Sequence, residues 1–248
     1  MNRAASFLLL FFFVQLAGGA LAARWWPEGG DEALTRTMLA AETAALAATA
    51  LFCAVRKRVS WLPADDFSVF SPVKCGDAAA LLGLVLTLSI GTACVLQPFG
   101  LDDGGSTLRF AALARRWEAA LLFCVAGPVF EEVVFRYGLA DGLCRALRSE
   151  KRAVVLSAAV FGAVHLNWLQ GFSAFVMGCA FGALYFGRRS LLLPVAAHIL
   201  CNTLAFASLR YPAAEASAAA LPGLLLAGVG LALCAASAAG LYKKLSQR

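Results

Sequence analysis

The sequence predicts an all-α fold, a polytopic transmembrane helical bundle of about eight helices. Three observations carry this expectation. Hydrophobic residues make up 61% of the 248 positions against 15% charged, and the mean hydropathy is +0.76. A soluble domain of this size cannot hide so much apolar surface. The apolar residues also fall into runs long enough to cross about 30 Å of hydrocarbon, and the charges gather between the runs.

The runs follow one another closely. Ala4–Ala23 comes directly after Arg3, and its Leu/Phe core with Ala20-Leu21-Ala22 also fits a cleavable signal peptide. Met38–Val55 contains Glu42, which has no evident partner in sequence, and Asp77–Gln97 is the third run. Trp117–Ala146 is overlong and carries Pro128, so a kink or a partly re-entrant segment is expected there. Ala153–Leu169 and Gly171–Gly187 are the fifth and sixth runs; Gly178 and Gly182 in the latter form a GxxxG pattern, read as close helix packing. Ser190–Leu209 and Ser217–Tyr242 complete the set. Three units follow: residues 1–116 with the first three helices, 117–209 as a core of four, and 210–248 with the last. There is no repeat, low-complexity tract or soluble domain.

The net charge of +6 reads as a topology signal. With the N-terminus inside, 14 of the 21 Lys and Arg residues fall on the inner side, six on the outer, and Arg136 within the membrane. Both termini are therefore expected in the cytoplasm, and cleavage of the first run would leave the remaining helices in the same orientation. No basic stretch is interleaved with aromatics, so no nucleic-acid partner is expected. The eight cysteines form no CxxC pair and most sit in apolar runs as small hydrophobes, which gives neither a disulfide framework nor a zinc ribbon.

Ionisable residues inside the fourth run are the anomaly. An ionisable group at membrane depth costs about 2.5–3.5 kcal/mol on insertion scales, yet Glu131, Glu132 and Arg136 lie together in GPVFEEVVFRYGL. Glu132 and Arg136 are i, i+4 on one helical face, which suits an ion pair, and Glu131 is rotated from Glu132 by about 100° and left free. The two histidines lie in FGAVH (161–165) and HILCN (198–202); His198 and Asn202 again share a face. At about 1.5 Å per residue, Glu131, His165 and Asn202 each stand about 20 Å from the inner basic residues Arg145, Arg152 and Arg189, with His198 one turn lower. Three helices thus bring polar groups to one level, as a shared cavity would require. Each group alone also has a structural reading, as interhelical glue or a bracing pair.

EEVVFR, FGAVH and HILCN, in this order on successive hydrophobic units, resemble the three motifs of the CPBP family of intramembrane proteases, which includes type II CAAX prenyl endopeptidases and proteins linked to bacteriocin processing. The family pattern EExxxR, FxxxH, HxxxN/D is matched at Glu131, Glu132, Arg136, Phe161, His165, His198 and Asn202. The resemblance covers about residues 117–206 and implies a peptide hydrolase whose first glutamate is catalytic.

Peptide hydrolysis needs an activated water and a group to stabilise the oxyanion. Glu131 can take a proton from water, His165 can hold that water or share the proton, and His198 with Asn202 can donate to the oxyanion. Glu132 and Arg136 brace the helix. No cofactor or metal is expected; the partners are the lipid bilayer and a protein or peptide substrate, prenylated or not. Three other readings stand beside this one. Glu131, His165 and His198 are suitable zinc ligands, although HExxH is absent. Ser173 and His198 superficially offer a rhomboid-like nucleophile and base, in the wrong order and without a further histidine. A transporter or a non-catalytic scaffold would use Glu131 and the histidines as a proton relay.

Overall fold

The computed structural model describes residues 3–58, 75–210, 225 and 228–235. Those residues form helices and connecting turns with no strand, as the sequence predicts. Helix α1 (Arg3–Trp25) and helix α2 (Gly30–Arg58) form a hairpin, with Gly30 at φ 51° at its turn. A third helix, α3 (Cys75–Leu96), ends in a 3₁₀ turn (Gln97–Phe99) and is followed by a short α4 (Ser106–Leu113). Helices α8 (Glu150–Ala163), α9 (Trp168–Arg188) and α10 (Leu192–Arg210) complete the described bundle. Four helical segments are long and apolar enough to cross a membrane, Ala4–Trp25, Ala78–Phe99, Trp168–Arg188 and Leu192–Arg210. The protein is an integral membrane protein of the all-α class. Most of the expected eighth run lies outside the described residues; within it, residues 228–235 are helical, and Cys234 packs on the core shared by α3, α9 and α10.

The overlong fourth run departs from regular α geometry on both sides of Pro128. It is a continuous helical stretch over 117–147, made of α5 (Trp117–Leu121), a π segment (Leu122–Ala126), α6 (Gly127–Glu132), a second π segment (Val133–Ala140) and α7 (Asp141–Leu147). The residues at each junction keep right-handed helical angles. Pro128 supplies the physical reason for the first π segment. Gly127 N–H bonds back to the Leu122 carbonyl, five residues away, and Pro128, next in that register, has no N–H to give to Phe123.

Three expectations about boundaries are corrected. Helix α2 starts at Gly30 rather than Met38, because its charged first turns are held by ion pairs: Arg36 bridges Glu32 and Glu118 at 2.9 Å each, and Arg116 reaches Glu32 at 2.5 Å. Helix α4 is a local product of Asp103, whose carboxylate accepts from the backbone N–H of Gly105 and Thr107; hydrogen bonds from Thr107 hold that carboxyl below its usual range. The fifth run is not one helix through Leu169. Helix α8 ends at Ala163, and α9 starts afresh because Asn167 caps it, accepting from Leu169 N and Gln170 N at 3.0 and 3.1 Å.

Packing around the site follows from small residues and rings. Gly178 and Gly182 do serve close packing: a Cβ at either would sit 3.0 Å from α8, against Ala158 and Val154. At the far end of the same crossing, a Cβ on Gly162 would meet the Gly171 carbonyl at 2.6 Å, so the backbones touch where the turn begins. Helix α1 lays Phe11 on Phe130 and Phe135, with ring centroids 6.0 and 5.2 Å apart, and thereby covers one side of the helix that carries the glutamates.

Candidate active site

The two adjacent carboxylates have different surroundings, as their 100° offset requires. Glu132 is fully buried, whereas the Glu131 side chain is 25% exposed. Glu132 Oε2 stands 2.9 Å from Arg136 Nε one turn away, and Glu132 Oε1 stands 2.8 Å from His198 Nδ1 on α10. With an ionised carboxylate as acceptor, His198 Nδ1 carries the hydrogen. The opposite edge of the same ring, Nε2, faces Glu131 Oε2 at 3.6 Å, beyond direct hydrogen-bond length. His198 is thus set between a closed structural carboxylate and an open one.

Arg136 is buried among aromatic rings as well as paired. Its guanidinium lies 4.8 Å from the centre of Phe161 and 5.5 Å from that of Phe181. Facing a ring gives the charge a favourable partner where water cannot reach. The same two rings confine His198, at centroid distances of 5.8 and 5.3 Å. Phe161, the first fixed residue of its motif, therefore touches Arg136 and both histidines, since its ring also stands edge-on to His165 at 5.0 Å.

His165 is not in mid-helix as the sequence suggested. It lies in the turn at 164–167, its Nδ1 held by the Phe161 carbonyl at 2.8 Å, which fixes the tautomer and leaves Nε2 as an acceptor. Leu166 beside it adopts φ 52°, an unusual state for a large side chain. Asn167 holds the turn in place: besides capping α9 it donates to the Asp103 carbonyl at 2.9 Å. The route from His165 to the other polar groups runs through Phe161.

Asn202 shows a link that the sequence did not reveal. Its Nδ2 donates to the Phe123 carbonyl at 2.9 Å, the acceptor that Pro128 leaves without a partner in the π register. The expectation that His198 and Asn202 both point freely into one pocket is modified accordingly. One amide hydrogen of Asn202 is committed to the backbone, and one remains. Phe181 and Asn167 were also missed; only Asn167, a capping residue inside an apolar run, left a local signal. Among the described residues no group of three or more His, Cys, Asp or Glu side chains is placed to hold a metal ion.

Residues 114–204 match the family described as Type II CAAX prenyl endopeptidase Rce1-like, and this segment contains every motif residue above. No curated protein and no solved structure matches the chain.

Proposed function

We propose that this protein is an intramembrane endopeptidase that hydrolyses peptide bonds of membrane-associated or lipidated substrates with a water activated by Glu131. The observation that carries the reading is the placement of His198, bonded to buried Glu132 through Nδ1 and facing Glu131 through Nε2. Glu131 takes a proton from water as the oxygen bonds to the scissile carbonyl carbon, and the carbonyl electron pair becomes an oxyanion. A His198 carrying both ring hydrogens donates one to Glu132 and offers the other to that oxyanion, alongside the free amide hydrogen of Asn202. Glu131 then returns its proton to the departing amine as the C–N bond breaks. His165 Nε2 shares the proton held by Glu131 until it passes to the departing amine. Glu132 and Arg136 keep His198 in place and make no contact with substrate.

The Rce1-like match and the residue chemistry both support peptide hydrolysis; the match supports substrates of the CAAX class. The test is mass spectrometry of products after incubating the purified protein in lipid with two C-terminal peptides of one sequence, farnesylated and plain. Cleavage of an internal peptide bond in at least one is expected. Failure to cleave either, with the protein folded, contradicts the reading.

A further inference from the structure

Glu42 is the buried ionisable group that this mechanism leaves unused. It lies on α2, 5% exposed. One carboxylate oxygen, Oε1, accepts from Gln15 Nε2 of α1 at 3.2 Å; the other, Oε2, is buried with no hydrogen-bond partner. Among the described residues no lysine or arginine forms an ion pair with it. A buried acceptor left unsatisfied is costly, so the position of Oε2 asks for an explanation.

Its position points at the site. An ideal Cβ built on Gly127 would stand 3.6 Å from Glu42 Oε2 and 2.9 Å from the Leu122 carbonyl, so α2 approaches α6 closely at a residue without a side chain. Glu131 follows Gly127 by four residues and therefore lies on the same face of α6, one turn further on. Glu42 from α2 and Glu131 from α6 thus lie about one turn apart along one face of α6, one held by Gln15 and one partly open.

We propose that Glu42 is a second carboxylate of the active site, which holds the attacking water together with Glu131. The water donates one hydrogen to Glu42 Oε2, satisfying the unpartnered acceptor, and the other to Glu131. Its lone pairs then face the scissile carbonyl. When the O–C bond forms, the proton on the Glu131 side passes to Glu131, and the hydrogen bond to Glu42 keeps the oxygen in place. Gln15 fixes the rotamer of Glu42. The inference rests on the endopeptidase reading and adds to it a residue outside the three motifs and outside the matched segment.

The experiment measures kcat, KM and thermal midpoint for cleavage of a fluorogenic peptide by the full chain in detergent. The variants are Glu42→Gln, Glu42→Asp, Gln15→Leu and Glu131→Gln. Glu42→Gln should lower kcat by about 100-fold at unchanged KM, the range for groups that handle the reacting proton or water. Glu42→Asp, which keeps the carboxylate, should recover part of that loss, and Gln15→Leu should lower kcat by about tenfold at unchanged KM, on the same scale. A purely structural glutamate would move the thermal midpoint and would tolerate the isosteric Gln. A kcat for Glu42→Gln within about twofold of wild type overturns the proposal on that scale. If Glu42→Gln does not fold, Gln15→Leu decides: an unchanged kcat overturns the proposal, and a reduced one supports it. Should Glu131→Gln remain active in the same assay, the underlying reading fails instead.

Discussion

Glu132 Oε1 and His198 Nδ1 stand 2.8 Å apart, joining the helix that carries both glutamates to α10 at a point with no exposure on the carboxylate side. Because Glu132 also meets Arg136 at 2.9 Å, one buried carboxylate compensates a cation and orients an imidazole. Removing one member of such a set leaves an uncompensated group, and the cost of breaking a buried pair is about 3–5 kcal/mol.

Glu132 and Arg136 should therefore couple. Glu132→Ala and Arg136→Ala are each expected to be less stable than wild type by about 3–5 kcal/mol, and the double variant by less than their sum. Reversible unfolding in mixed micelles provides the four corners of the cycle. Strict additivity would show that the two side chains do not interact.

A second coupling is backbone in origin. Asn202→Ala strips the Phe123 carbonyl of its donor, and an unsatisfied buried carbonyl costs about 1–3 kcal/mol. Pro128→Ala restores an N–H in register with that carbonyl, so the double variant should recover part of the loss. If Pro128→Ala makes Asn202→Ala worse, the π-register account of residues 122–128 is wrong.

Much of this arrangement was legible because polar residues are conspicuous in an apolar chain. Glu132 and Arg136 announce their pairing by i, i+4 spacing, and the motif order places Glu131, His165 and His198 on different elements. What stayed hidden depends on distance in sequence or on helical register. His198 and Glu132 are 66 residues apart and Glu42 and Gln15 are 27 apart, and no local pattern encodes either bond. The turn that carries His165 was masked because apolar residues run on through it, while the cap that ends the helix is a single Asn167. The tie from Asn202 to Phe123 arises only once Pro128 shifts the helix to a π register.

Orientation follows from the basic residues. We propose that the α7–α8 junction, rich in Arg and Lys, faces the cytoplasm, with the α1–α2 turn on the opposite side. In a cysteine-free background, Lys151→Cys should resist an impermeant thiol reagent applied to intact cells and react after permeabilisation. Glu28→Cys should react without permeabilisation. The reverse pattern would invert the bundle.

The central claim is that Glu131 performs the chemistry while Glu132 holds the scaffold, and one comparison of purified variants tests it most directly. Peptide cleavage and thermal midpoint are measured for wild type, Glu131→Gln and Glu132→Gln in the same lipid. Glu131→Gln should keep the wild-type midpoint and lose at least about 100-fold in kcat, the lower range for a missing general base. Glu132→Gln should lose stability as well as activity, since Arg136 and His198 both lose their charged partner. Wild-type turnover by a folded Glu131→Gln protein would contradict the account.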